Sequence, residues 1–183
     1  MSLDTILILS RYLSGEALEI VVTHSIEVTS LASSICNFLQ FSKEETLFVQ
    51  QAAMLHDIGV CRVNAPELGL VDRYPYIMHG ILGREILESE GLSHHALVCE
   101  RHIGVGLTVE DIKAQHLPLP LRDMTPQTIA EEIVCFADLF YSKQPGKLNR
   151  RKSISRVRKK LERFGAAKIQ IFDSWILRFG NVL

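Results

Sequence analysis

The sequence predicts an all-α protein. Apolar residues recur at helical spacing over long stretches, while alternating strand-like segments and Asn-Gly hairpin turns are absent from the sequence. Apolar residues make up 47 % and charged residues 22 % of the 183 residues, proportions typical of a globular domain with a sizeable core. We therefore expect one helical domain with a modest appendage.

The first half of the chain predicts three long helices. The first spans about 17–40. Ser42 with Glu45 has the form of a capping box and begins the second helix, which runs to the pair "HD" and ends before Gly59. After a loop rich in Pro and Gly, a third helix is expected over 76–90.

The second half predicts shorter helices, most of them with a recognisable start. They are 93–103 with Ser93 as its cap, a short helix from Thr108 with Asp111, 125–143 with Thr125 as N-cap and Pro126 at the first position, 153–164, and 166–179. We expect the apolar face of the final helix to pack on the domain or on a second subunit of a homodimer.

Charge is unevenly distributed along the chain. The net charge is −1, yet about half of the 20 Lys and Arg residues lie within 143–163, where Glu162 is the only acid. The apolar residues Val157 and Leu161 recur at helical spacing in this stretch, so we interpret the cations as the solvated outer face of a helix. Nucleic acid is therefore disfavoured as a partner.

The sequence carries no evident membrane or secretion signal. Its longest apolar runs fall well short of the roughly 20 residues that a membrane span needs. The N-terminus has Asp4 where a secretory signal would be basic, and the four cysteines are widely spaced, without a disulfide framework. We expect a cytoplasmic protein with no membrane partner.

Six residues of metal-binding type occupy comparable places in the helical pattern, on apolar faces or at helix ends. They are His24, His56, Asp57, His79, His102, and Asp138 within "EEIVCFADLF". A buried carboxylate needs a hydrogen-bonding partner or a metal. Imidazole and carboxylate ligands suit ions such as iron, manganese, zinc or nickel, and a helical bundle can direct them inward from several helices. The alternative is a set of unrelated buried polar residues, each with its own partner.

The order of these residues resembles a known superfamily. The series His24, His56-Asp57, Asp138 is similar to the His…His-Asp…Asp signature of the HD-domain metal-dependent phosphohydrolases, in which "HDIG" is a frequent local form. The resemblance covers about residues 17–143 and includes "HGILGREIL" and "RHIGVG". It implies an HD-domain helical bundle over 1–146, with additional C-terminal helices over 147–183 that pack on the same domain.

The resemblance also implies a binuclear centre, because two further histidines match those of the binuclear subset. The implied first metal is held by His24, His56, Asp57 and Asp138, and the second by His79 and His102 with Asp57 as the bridge. The implied cofactors are two divalent ions, drawn from Fe, Mn, Zn and Ni. Asp57, His79 and His102 would then be the catalytic residues.

A cation for the substrate is harder to assign. Many members of the superfamily carry Lys after "HDIG", where this chain has Val60. Arg62, Arg73, Arg101 or Lys143 can supply the charge instead. We favour Arg101 as the substrate-binding residue, because it stands beside His102.

Three functions are compatible with this pattern. The leading one is a metal-dependent phosphohydrolase, in which a metal-bound hydroxide attacks a phosphate ester of a small molecule such as a nucleotide. The same ligand pattern resembles the di-iron HD oxygenases, which cleave a C–C or C–P bond. The third is a non-catalytic metal-containing binding protein, which the intact ligand set disfavours.

Overall fold

The computed structural model describes residues 3–144 and 146–183. Nine α-helices occupy these ranges, and extended residues pair there only in isolated bridges. The all-α prediction is confirmed. The helices are α1 (Thr5–Tyr12), α2 (Gly15–Phe38), α3 (Lys43–Leu55), α4 (His79–Ser89), α5 (Ser93–Arg101), α6 (Val109–Ala114), α7 (Ile129–Leu139), α8 (Ile154–Leu161) and α9 (Ala166–Phe179).

Two predicted capping boxes form as expected. At the start of α3, the Ser42 hydroxyl accepts a hydrogen bond from the Glu45 N–H at 3.2 Å, and the Glu45 carboxylate accepts one from the Ser42 N–H at 2.9 Å. Thr108 and Asp111 make the same reciprocal pair at the start of α6. Each box satisfies backbone N–H groups that the first helical turn leaves without partners.

The start of α7 differs from the prediction. Thr128 is the N-cap in place of Thr125, and its hydroxyl accepts from the Glu131 N–H at 3.2 Å. The Thr125 hydroxyl accepts instead from the side-chain amide of Gln127 at 3.0 Å. Residues 125–128, which follow the bridge between Leu107 and Met124, are not helical. The helix also ends earlier than expected, at Leu139, which leaves the following cationic residues in a loop.

Two further elements were not predicted. The sequence pattern missed α1, an eight-residue helix whose N-cap, Asp4, accepts from the Leu7 N–H at 2.9 Å. The run "ILIL" within it is too short to show helical periodicity. The predicted helix over 76–90 begins with a single 3-10 turn, Tyr76–Met78, before α4.

The two larger of the three apolar clusters in the described residues meet along α2. One contains Val28 and Ile35 with residues of α3, α7 and α9, and the other contains Ile20 and Val21 with residues of α1 and α4. His24 lies between these two stretches of α2 and is 1 % exposed. The polar residues of the candidate site therefore occupy the junction of the two clusters.

The C-terminal helices pack on the rest of the chain. The ring centroid of Phe136 in α7 lies 6.0 Å from that of Phe172 and 5.5 Å from that of Phe179. The Phe136 ring also lies edge-on to Trp175 of α9. The ammonium of Lys168, which is buried, donates to the carbonyl oxygen of Gly106 at 2.7 Å. The division into a domain over 1–146 and an extension over 147–183 stays a prediction.

None of the helices in the described ranges is both long and apolar enough to cross a membrane.

Candidate metal centre

Five structural elements bring the six predicted residues to one place. His24 comes from the middle of α2, His56 and Asp57 follow α3, His79 opens α4, His102 follows α5, and Asp138 lies in the last turn of α7. All but Asp138 are buried, and Asp138 is 20 % exposed at its side chain. Their ligand atoms fall into two overlapping groups, each compact enough to surround one ion: His24, His56, Asp57 and Asp138, and then Asp57, His79 and His102.

Asp57 belongs to both groups, and each of its carboxylate oxygens faces a different one. Oδ2 lies 3.3 Å from Nε2 of His24 and 2.9 Å from Nε2 of His56. Oδ1 lies 3.4 Å from Nε2 of His79 and 3.5 Å from Nε2 of His102. This is the placement that a carboxylate bridging two cations requires.

Backbone contacts fix the tautomer of three histidines. Nδ1 of His56, His79 and His102 lies 2.6–2.7 Å from the carbonyl oxygens of residues 53, 76 and 99, respectively. A carbonyl oxygen can only accept a hydrogen bond, so each Nδ1 donates, and in the neutral ring each Nε2 directs its lone pair toward the site. Second-sphere contacts of this kind are typical of histidines that bind metals.

The buried polar atoms of the site fit a bound cation. Nε2 of His24, Nε2 of His56 and both oxygens of Asp57 are buried, and no group in the described part of the chain reaches them with hydrogen-bond geometry. Such atoms are rare in folded proteins because each costs free energy. The four imidazoles and two carboxylates of the site form a donor set suited to divalent transition metals.

The carboxylates strongly perturb their neighbours. Burial alone would lower the pKa of His56, but Asp57 and Asp138 outweigh it and raise that pKa to about 10. Burial and the nearby His102 lower the pKa of His79 to about 3. The two histidines therefore differ in protonation, and a cation that binds beside Asp57 must displace the proton on His56.

Lys143 reaches the same carboxylate from the loop after α7. Its Nζ lies 2.6 Å from Oδ2 of Asp57, and its side chain is 15 % exposed. Burial opposes the charge of this ammonium, but Asp57 raises the pKa of Lys143 well above its usual value. The side chain also lies over the ring of Tyr76, with Nζ 5.9 Å from the centroid.

The site opens into a cavity of about 790 Å³. His79, His102, Asp138 and Lys143 form its floor. Cations from the loop after α7 and from α8 line this cavity. Most of these cations are exposed, as the sequence predicts for the outer face of the helix, and that face also borders the cavity. Within α8, only Val157 and Leu161 are buried, so the remaining faces of the helix are available to the cavity.

The structure places Arg101 away from this cavity. Its guanidinium binds both carboxylate oxygens of Glu131 at 3.1 Å, and Glu131 is 5 % exposed. Arg62 pairs with Glu85, and Arg73 contacts the Tyr74 hydroxyl and ring. Arg101 is thus paired with an internal carboxylate and does not line the cavity, and its role in substrate binding stays a prediction that this geometry does not support. Lys143, another of the four candidates, occupies the floor instead.

Fold and site together define an all-α protein with two adjoining groups of metal-binding side chains that share one carboxylate. The sequence profile of the HD domain matches residues 21–142. The chain therefore belongs to the HD-domain family, the family that its ligand pattern resembles.

Several proteins are similar to this chain over about two thirds of its length. A protein of Methanocaldococcus jannaschii described as uncharacterized is 36 % identical over 123 residues, which are 66 % of this chain and 65 % of that protein. The tRNA (cytidine(56)-2′-O)-methyltransferase of Picrophilus torridus is 32 % identical over 126 residues, 68 % of this chain and 32 % of the relative. The enzyme of the same name from Thermoplasma volcanium is 31 % identical over 127 residues, 69 % of this chain and 33 % of the relative. No solved structure gives a significant match.

Proposed function

We propose that the protein is a metal-dependent phosphohydrolase that cleaves a phosphate ester of a small molecule, with a nucleotide as the leading candidate. The observation that carries the proposal is the position of Asp57, whose two oxygens face separate groups of imidazoles. When two divalent cations are bound, they activate water for attack on phosphorus and neutralise the phosphate oxygens.

The chain's own residues would hold these ions in a fixed arrangement. His24, His56 and Asp138 would hold one ion, His79 and His102 the other, and Asp57 would bridge them. Three of the rings are oriented by backbone carbonyls, so their Nε2 atoms need no reorganisation when the ions bind. Preorganisation of this kind is where a protein scaffold contributes most to catalysis at a metal site.

Lys143 would bind a phosphate oxygen beside the ions. It lies at the floor of the cavity, within reach of Asp57, and carries the positive charge that Val60 does not supply after "HDIG". The ring of Tyr76 limits the space around the ammonium. A charged donor in this position would orient the substrate phosphate and offset its charge.

We do not extend the methyltransferase name to this chain. The chain spans about a third of each of the two tRNA methyltransferases and about 65 % of the uncharacterized relative. The reaction named for the longer proteins can therefore belong to parts that this chain does not match.

The test is hydrolysis by protein loaded separately with Mn²⁺, Fe²⁺, Ni²⁺ or Zn²⁺. Phosphomonoesters, nucleotides and dinucleoside polyphosphates form the panel, and released phosphate is measured. We expect turnover with at least one ion and one substrate class, and none with Asp57→Asn. Absence of phosphate release across the panel would contradict the proposal.

The identity of the bound metal distinguishes the oxygenase from the hydrolase. Oxygen activation requires redox-active iron, whereas hydrolysis does not. Elemental analysis and oxygen consumption by the iron-loaded protein distinguish the two reactions. Oxygen uptake coupled to substrate loss, without phosphate release from any substrate, would replace the hydrolase proposal with the oxygenase.

A further inference from the structure

The cavity above the candidate metal centre has a strongly basic wall. Six cations form this basic wall: Lys147, Arg150, Arg151, Arg156, Lys160 and Arg163. All six are exposed, and none forms an ion pair with a carboxylate in the ranges that the structure describes. Their neighbour Arg158, in contrast, pairs with Asp173 at 2.8 Å.

The cations of the basic wall lack ion-pair partners among the described residues, while Glu67 and Asp138 are the carboxylates that line the same cavity. Lys152, which stands next to the basic wall, donates to the carbonyl oxygen of Leu139 at 3.1 Å. Burial and the surrounding cations, among them Lys160 and Arg156, lower the pKa of Lys152 to about 8. Like charges at close range repel one another, so this arrangement is stabilised when an anion enters the cavity.

The number of cations exceeds the need of one phosphate. A phosphate monoester carries about two negative charges at neutral pH, and Lys143 with the two metal-ligand groups already serves that phosphate at the floor. On α8 and the turn after it, Arg156, Lys160 and Arg163 follow one another at helical spacing, about 6 Å apart for the first pair. The positive charge thus continues outward from the floor along one side of the cavity.

The cavity volume indicates a small ligand. About 790 Å³ lies within the range of roughly 300–1,000 Å³ that small-molecule sites occupy. Of the two aromatic residues of the lining, Tyr141 is buried and Tyr76 is partly buried, so neither presents a fully exposed ring for stacking successive bases. These features favour a compact polyanion over a nucleic-acid strand.

We propose that the basic wall is a subsite for a chain of linked phosphates, so that the substrate is a small molecule with further phosphates beyond the one that is cleaved. An inorganic polyphosphate and a nucleoside polyphosphate share this chemistry. The subsite lies in residues 147–163, after the segment that matches the HD domain. The inference rests on the proposed function only in placing the scissile phosphate at the floor.

Calorimetric titration of the metal-loaded protein tests the subsite. The probes are orthophosphate, inorganic triphosphate, non-hydrolysable adenosine imidotriphosphate and a short 5′-phosphorylated oligothymidylate, with metal content checked after each titration. We expect triphosphate to bind at least about ten-fold tighter than orthophosphate, because its additional charges can pair with cations of the wall. Equal affinity for the imidotriphosphate indicates that the phosphate chain alone is recognised, and tighter binding indicates a nucleoside polyphosphate.

Variants of α8 test whether the preference for triphosphate depends on the basic wall. Arg156→Gln with Lys160→Gln should reduce the ratio of triphosphate to orthophosphate affinity about ten-fold. Lys160→Gln alone should also reduce this ratio. Lys159→Gln removes one positive charge from the same helix at a residue that does not line the cavity, and should preserve the ratio within two-fold. An equal loss in Lys159→Gln and Lys160→Gln, or no preference for triphosphate in the unchanged protein, overturns the proposal. Tighter binding of the oligothymidylate than of triphosphate overturns it in favour of a nucleic acid.

Calorimetry separates this inference from the proposed function, because it does not depend on turnover. Triphosphate selectivity without hydrolysis of any substrate contradicts the proposed function alone. Hydrolysis with no triphosphate selectivity contradicts only the proposal that the basic wall binds linked phosphates.

Discussion

Nε2 of His79 lies 3.1 Å from Nε2 of His102, and both atoms face Oδ1 of Asp57. In each ring Nδ1 donates to a backbone carbonyl oxygen, so the two facing nitrogens both carry lone pairs. Two lone pairs at this separation repel unless a positive charge lies between them. The pair of histidines is therefore arranged to bind a cation together.

Replacement of His79 tests this pairing directly. We expect His79→Ala to reduce the bound metal from two ions to one per chain, because His102 and Asp57 alone provide too few ligands for the second ion. Elemental analysis after dialysis measures the stoichiometry. His94→Ala removes an exposed histidine outside the site and should retain both ions. Unchanged metal content in His79→Ala would show that this residue is not a ligand.

Asp57 should be the least replaceable residue of the site. Asp57→Asn keeps the shape but removes the charge that lets two cations approach each other, so we expect loss of both ions and at least about a 100-fold loss of activity. In the unchanged protein, added metal should also raise the melting temperature, since it binds only the folded state. This stabilisation should vanish in Asp57→Asn and persist in Asp72→Asn, which alters an exposed carboxylate. Metal-dependent stabilisation of Asp57→Asn equal to that of the unchanged protein would contradict a bridging role.

Lys143 should affect the use of substrate more than the binding of metal. Lys143→Gln removes a charged donor to the phosphate, and we expect kcat/KM to fall about 10- to 100-fold. Metal content, measured in parallel, should stay at the level of the unchanged protein. Lys159→Gln serves as the control for loss of a positive charge. Loss of metal in Lys143→Gln would assign this residue to the integrity of the centre instead.

The aromatic contacts of α9 should contribute strongly to stability. Trp175 is 2 % exposed and packs against α7, so Trp175→Ala should lower the free energy of unfolding by about 3–5 kcal/mol. Leu177→Ala, on the exposed face of the same helix, should change it by less than about 0.5 kcal/mol. Urea unfolding followed by circular dichroism measures both. A separate early transition for α9 would instead show that the C-terminal helices unfold as an independent unit.

Gly59 should be required by close packing behind the site. A Cβ at this position would overlap the backbone carbonyl of His79 and approach the Cα of Gly83 to 2.8 Å. Because backbone atoms cannot move aside as side chains do, Gly59→Ala should cost about 1–3 kcal/mol of stability and displace His79. Gly180→Ala meets only the side chain of Ile176 and should cost less. Equal stability of the two variants, measured by thermal unfolding, would contradict this account.

The sequence predicted the helices that carry their own start signals. The capping boxes at Ser42 and Thr108 are local, so the residues that specify them are adjacent in the chain. Thr125 with Pro126 carried a similar local signal, but the segment 125–128 follows a tertiary bridge between Leu107 and Met124 and is not helical. Such long-range pairing leaves no mark in the neighbouring sequence.

The candidate site shows the same difference between residues that local sequence identifies and residues that the tertiary fold positions. The six residues of ligand type were identified because each stands at a helix end or on an apolar face, and the structure brings all six together. Arg101 was favoured over Lys143 for substrate binding because it is adjacent to His102 in the sequence, whereas the structure pairs Arg101 with Glu131. The loop after α7 turns Lys143 toward Asp57, and helical periodicity cannot reveal where a loop points. The stretch with Glu162 as its only acid was the signal that could have identified the basic wall.

The basic wall comes from one contiguous peptide, and this continuity has a consequence for divergence among related proteins. The six ligand-type residues are scattered over five elements, so any change to them disturbs the whole interior. The wall residues are exposed, and most of them precede or lie on a single short helix. Under the proposed function, exchange of this peptide alone would change which phosphorylated molecule is bound and leave the candidate metal centre intact.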